Sequence, residues 1–199
     1  MLSINDWAQQ LQSLPVRSLM VAVVLLSFGI YGRLNARSSG GHVLMTRFDR
    51  RIPVNHFFSV PYLLYFPYLL GTVVYGILMS PIFANIAASA LAVQLSAAVI
   101  YKRHQTHVPR PEFVPNGFFS RLTAMIYRND KPFCAFPSLH VAYSTLCAYW
   151  SLTLFPGFAW VFVVLSGLVI ASTVFLKQHA IADVIAGVAI AALSLKFIG

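Results

Sequence analysis

Six apolar runs of near membrane-crossing length recur along this chain, at 16–32, 58–79, 84–101, 137–154, 158–175 and 180–198, with polar connections between them. A helix needs about 20 apolar residues to cross a ~30 Å hydrocarbon core, where its backbone groups have no water to bond. Composition agrees, since 58% of the 199 residues are hydrophobic, 10% are charged and the mean hydropathy is +0.74. Soluble domains carry roughly a quarter charged residues. The expected fold is therefore all-α, a six-transmembrane-helix bundle forming a single domain over 1–199. Few other architectures suit such a chain.

The connections narrow this further. Residues 1–14 read as a short interfacial helix, without the basic start or small-residue cleavage site of a signal peptide. In 33–57 the apolar Leu44, Met45, Phe48 and Ile52 recur at helical spacing opposite Arg47, Arg50 and Arg51, which suggests a helix lying in the headgroup plane. A solvated loop is the alternative. Pro61 and Pro67 are expected to kink or loosen the second span. The stretch 102–135 is the longest polar segment and is broken by four prolines and Asn116-Gly117, so it reads as a functional loop. Cys134 and Cys147 lie in or beside one expected helix, and a bridge between them is not expected.

The net charge of +9 rests on 14 Lys and Arg against five acids. Basic chains often bind nucleic acid, but here the cations sit between membrane runs. Anionic lipid headgroups or a phosphorylated substrate fit better, and no nucleic-acid partner is expected. In alternating topology the third run ends, the fourth begins, the fifth ends and the sixth begins on one membrane face. That arrangement brings three polar clusters together.

The first cluster holds Arg103, His104, His107 and Arg110-Pro111. The two histidines read as ordinary interfacial residues. Arg110 is pinned between Pro109 and Pro111, and its planar fork of donors suits phosphate oxygens. The second cluster is Pro137-Ser138-Leu139-His140. Proline is favoured at a helix start, whose free N–H groups attract anions, and a histidine just inside a span needs a protein or water partner. The third is Lys177, His179 and Asp183. Positions 179 and 183 share a helix face, so the carboxylate is expected to hydrogen-bond the imidazole, fixing its tautomer and raising its basicity. Gly187, one turn further on, would leave that face open to a neighbouring helix. Two histidines and an aspartate could also hold a metal, but the surrounding cations favour an anion and phosphoryl transfer through a histidine nucleophile.

At these residues the chain resembles the type 2 phosphatidic acid phosphatase superfamily, with its motifs K-x6-RP, PSGH and SR-x5-H-x3-D. The first reads here as Arg103 through Arg110-Pro111, the second as Pro137-Ser138-Leu139-His140, and the third as Ser172-Thr173 followed by His179 and Asp183. Leu139 replaces a glycine. Thr173 replaces a phosphate-binding arginine, with Lys177 close enough in sequence to substitute. The PSLH variant and Lys177-Gln178-His179 look like the inositol phosphorylceramide synthase branch, whose members transfer rather than hydrolyse.

The resemblance implies an integral membrane lipid phosphatase that passes through a phosphohistidine. His179 would be the nucleophile, Asp183 its orienting group and His140 the acid and base. Arg103, Arg110, Ser138, Lys177 and the helix start at Leu139 would bind phosphate, with neither metal nor cofactor. A lipid phosphotransferase with the same site is the alternative, and a small transporter or ion pathway a more distant one. The expected partners are a phosphorylated lipid and membrane lipids. The expected place is the cell membrane, multi-pass, with the site face cytoplasmic because only Arg17 and Lys196 among the 14 cations fall on the other face.

Overall fold

A computed structural model describes residues 13–198. Nearly all of the 1–14 segment lies outside the described residues. The described chain is all-helical: α1 (Leu14–Arg37), α2 (Arg47–Arg51), a 3-10 turn (His56–Phe58), α3 (Ser59–Met79), α4 (Phe83–Arg103), α5 (Phe118–Asn129), α6 (Leu139–Leu154), α7 (Ala159–Phe175) and α8 (Ile181–Ile198). Six of these fall on the six apolar runs. Four segments, Leu14–Arg37, His56–Met79, Phe83–Arg103 and Ile181–Ile198, are long and apolar enough to cross a membrane. The apolar α7 is shorter, at 17 residues, and α6 has 16.

α6 is the centre of the bundle and packs on α3, α4, α7 and α8. Ten of its 16 residues are buried, Trp150, Tyr143, Leu146 and Cys147 among them, so it faces protein where a peripheral span would face lipid. α4 approaches α1 and α8 through small side chains, with Ala87, Ala90 and Ala97 buried. α6 and α8 meet at Gly187, where a Cβ would lie 2.6 Å from the Ser138 carbonyl oxygen and 2.9 Å from Val141 Cβ. The small face expected at Gly187 is used in this way.

Several local expectations change. α1 begins with Pro15 in its first turn and continues through Arg33 to Arg37, well past the expected end at 32. Only Arg47–Arg51 of the basic connection is helical, because Thr46 and Asp49 form a reciprocal capping box that nucleates a single turn. α3 continues through Pro67. The 102–135 stretch contains α5, which starts after Gly117 at φ 99° and buries Ser120, Thr123 and Ile126. Both cysteines are free and buried.

The polar connections gather at one end of the bundle. His42 pairs with Thr106 and His107 with Phe133 as isolated bridges, joined by His42 N–H to the Gln105 carbonyl at 2.9 Å and Val108 N–H to the Pro132 carbonyl at 3.1 Å. Gly41, at φ 129°, lets the chain pass there, since a Cβ would lie 2.7 Å from the Gln105 carbonyl oxygen. Three loops are thereby tied together over the starts of α6 and α8.

Candidate active site

The loop between α7 and α8 is built to present a histidine. Its tight turn places the N–H groups of Gln178 and His179 on the Thr173 carbonyl, at 2.9 and 3.0 Å, and holds Lys177 at φ 50°, a left-handed conformation that a non-glycine residue adopts at some cost. Thr173 is fully buried and its hydroxyl donates to the Ile170 carbonyl. It is therefore a structural anchor for the loop.

His179 Nδ1 lies 2.9 Å from the Ala135 carbonyl. A carbonyl only accepts, so Nδ1 carries a proton, and in the neutral ring the lone pair is on Nε2. The expected hydrogen bond to Asp183 is replaced by an ion-pair separation of 3.6 Å. Asp183 Oδ2 instead accepts from the Ala180 N–H at 2.8 Å, capping α8, while Oδ1 is buried without a partner. Asp183 thus secures the turn that carries His179 and leaves negative charge beneath it.

The start of α6 closes against the same turn. Ser138 N–H donates to the Asp183 carbonyl at 3.1 Å, and Ser138 Oγ caps the helix by accepting from Val141 N–H at 3.3 Å. Leu139 occupies ordinary helical backbone and its side chain lines an apolar chamber, so nothing at this position calls for glycine. His140 lies between the rings of Tyr62 and Tyr65, at 4.7 and 4.6 Å, and 5.7 Å from the His179 ring. Tyr62 in turn donates to Asp130 Oδ2 at 3.2 Å, and Tyr31 donates to Oδ1 at 2.8 Å. Tyr62, itself fixed by Asp130, and Tyr65 thus pack against the His140 ring.

Arg110 donates through one terminal nitrogen to the carbonyls of Tyr127 and Asp130, at 3.3 and 2.6 Å, through the other to Gln178 Oε1, and rests on the Tyr127 ring. Burial pushes the Tyr127 hydroxyl up to about 12, with the Arg110 charge pulling the other way, so Tyr127 stays a donor, bonding the Leu176 carbonyl at 2.8 Å. Lys177 Nζ donates to the Asp49 carbonyl at 2.6 Å. Burial lowers the Lys177 pKa from its usual value, and Asp49 opposes that shift. Arg103 is not drawn in. It is exposed on the last turn of α4, where the open helix end leaves it in solvent.

Two participants had not been expected. Asp49 is buried, and its Oδ1 accepts from Ile181 N–H at 2.7 Å, capping α8 from a distant segment. Burial alone would raise its pKa, but the Thr46 hydroxyl and the Ile181 and Thr46 amides hold it below the ordinary range. The pattern Thr46-x-x-Asp49 was its sequence signal. Gln178 lies between Lys177 and His179, and only its polarity at a helix start marked it.

Four buried side-chain atoms here have no partner: Arg110 Nε, Gln178 Nε2, His140 Nε2 and Asp183 Oδ1. Buried polar groups are nearly always paired, and the three open nitrogens have the chemistry that suits an anion. Among the described residues no three His, Cys, Asp or Glu side chains form a metal cluster.

A model of the PAP2 superfamily matches residues 41–197. The chain belongs to the PAP2 superfamily. No curated protein and no solved structure matches it. The match runs from the loop before α2 into the last turn of α8, so it covers Asp49, Arg110, Ser138, His140, Lys177, Gln178, His179 and Asp183 of this PAP2 protein, and membership points to phosphatase-type chemistry.

Proposed function

We propose that this PAP2 protein is a multi-pass lipid phosphatase of the cell membrane that cleaves a lipid phosphate monoester or diphosphate through a phosphohistidine. The observation behind this reading is the trio of unpartnered nitrogens on Arg110, Gln178 and His140, with the His140 ring 5.7 Å from that of His179 and Gln178 bonded to Arg110. They are placed to take phosphoryl oxygens, with Lys177 and the Ser138 hydroxyl alongside. His179 Nε2 attacks phosphorus while the bond to the lipid oxygen breaks, and His140 gives that oxygen its proton. In the second half a water loses its proton to His140 and attacks phosphorus, the P–N bond breaks, and inorganic phosphate leaves. Asp183 holds the nucleophile's turn and balances the charge that its ring acquires.

All six long helices cross the bilayer in this reading. α6 and α7 are short, but α6 is sheathed by protein and needs little lipid-matched length. The crowding of cations at the site end favours a cytoplasmic site face.

The test is phosphate release from lipid monophosphates and diphosphates by purified His179→Ala and His140→Ala protein. Each variant is expected to lose about 10²–10⁴-fold, and activity within a few fold of wild type would overturn the reading.

Transfer to an alcohol, as in the inositol phosphorylceramide synthase-like branch, is supported by one feature. A second cavity of about 590 Å³ is lined by Arg50, Arg110 and Lys177, with space for a polyol. Substrate supplied with and without inositol or glycerol distinguishes the two, since transfer yields a phosphate monoester of the added alcohol and no free phosphate.

A further inference from the structure

The two histidines of the site differ in their surroundings. His179 has a carboxylate beside it, Asp183 at 3.6 Å, and among the described residues none lies that close to His140. A ring that protonates a leaving oxygen must first hold a proton, and an imidazolium in an apolar setting needs partners that accept positive charge. The neighbouring His179 ring, at 5.7 Å, brings no negative charge. What His140 has instead is a pair of aromatic rings. Tyr62 and Tyr65 of α3 lie 4.7 and 4.6 Å from it, inside the roughly 6 Å reach of a cation–π contact. Such contacts strengthen when the cation is desolvated, and His140 is buried.

The two rings are not equivalent. Tyr62 is buried and donates its hydroxyl to Asp130 Oδ2 at 3.2 Å, while Asp130 Oδ1 takes the Tyr31 hydroxyl at 2.8 Å. Among the described residues no Lys or Arg nitrogen lies within ion-pair distance of this carboxylate, about 4 Å. Two neutral donors leave its negative charge uncancelled. That charge sits at the phenol end of Tyr62, whose ring packs on His140, so it makes the ring a better seat for a cation. Charge acts over such a span more strongly in a low-dielectric site than in water.

The loop that carries Asp130 is held from α1. Asn35 donates to the Lys131 and Phe133 carbonyls at 3.1 and 3.0 Å and to the Tyr31 hydroxyl at 3.1 Å, and Lys131 Nζ donates to the Ala36 carbonyl at 2.7 Å. The Asp130 carbonyl in turn accepts from Arg110 at 2.6 Å. One residue thereby touches the arginine of the site with its backbone and the support of His140 with its side chain. α1 precedes the matched stretch 41–197, so family membership gives Tyr31 no part in the site.

We infer that Asp130, acting through Tyr62, is a positioning residue that fixes the His140 ring and stabilises its protonated form for proton donation to the leaving group. This rests on the phosphatase reading and adds to it a carboxylate outside all three motifs.

The test compares two substrates on the full chain in detergent: dodecyl phosphate, a minimal lipid monophosphate, and its analogue with sulfur in the bridging position. The alkoxide needs a proton to leave, and the thiolate leaves without one. Asp130→Asn keeps the shape of the side chain and removes its charge. Its kcat is expected to fall about tenfold on the oxygen ester, the size of a desolvated cation–π contact, and by less than about twofold on the sulfur ester, with KM little changed. Tyr62→Phe, which keeps the ring and cuts its link to Asp130, should show the same selective loss, and it carries the comparison if Asp130→Asn fails to fold. In a His140→Ala background Asp130→Asn should cost nothing further on the oxygen ester, because the two residues act as one unit. Equal losses on the two esters overturn the inference and leave the phosphatase reading standing, as does a loss that persists undiminished without His140. Wild type that releases phosphate from neither ester overturns the phosphatase reading and this inference with it.

Discussion

Single residues carry the site's chemistry, and they differ in how far the sequence announces them. His140, His179 and Asp183 stand out because the membrane tolerates few such groups. Gln178 does not, since its place as partner of Arg110 depends on how the α7–α8 turn folds against the loop after α4. Replacing it with leucine leaves part of Arg110 unpaired and, in the proposed mechanism, removes a donor to the phosphoryl group. Phosphate release by Gln178→Leu is expected to fall about 10–100-fold, in keeping with one bond to a charged group. Lys177 gives a pH signature. Burial lowers its pKa, so it loses its proton, and with it the phosphate contact of the proposed mechanism, below the ordinary lysine value of about 10.4. The alkaline limb of kcat/KM for wild type should therefore fall below that value. In Lys177→Arg this limb should vanish, because guanidinium does not titrate in that range.

At the scale of elements, the long helices could be read from hydrophobic length, and the short ones depended on local chemistry. α2 is a single turn whose apolar residues suggested a longer interfacial helix, yet its one acid is turned inward to cap α8. Asp49→Ala removes that cap and the capping box together, which is expected to cost about 0.5–2 kcal/mol of stability in detergent unfolding and to lower activity by loosening the His179 turn. Because the folded pKa of Asp49 is depressed, its contribution is present above the unfolded value of about 3.9 and is lost as pH falls through the folded one. Acid should therefore weaken wild type and leave Asp49→Ala less affected. The α6–α8 contact is tighter still. Gly187→Ala is expected to destabilise by about 1–3 kcal/mol, whereas Gly167→Ala, with open space around its Cβ, should be neutral. Thermal unfolding of the two variants side by side checks this. α5 was missed even though Phe119, Leu122 and Ile126 recur at helical spacing after Gly117, because the prolines and polar residues around it dominated the reading.

For the whole molecule, alternating topology was enough to place the three polar clusters at one end, and the structure brings two of them and half of the third together. Arg103 stays outside, since sequence order cannot tell which way a side chain on the last turn of a helix faces. Sidedness can be measured directly. Asn116 is exposed on the loop between α4 and α5, and both native cysteines are buried, so Asn116→Cys should be the one thiol open to an impermeant reagent. With the site face cytoplasmic, it should stay unlabelled in intact cells and react after permeabilisation. The centrality of α6 also bears on how the chain is made. A helix of 16 residues that turns most of its surface to protein has little of its own to offer lipid. It should therefore enter the bilayer as a passenger of α7, which follows it after a turn of four residues. A nascent chain ending near residue 155 should leave α6 outside the membrane, and one extended through α7 should carry it in, an order of assembly that glycosylation tags placed after α6 would reveal.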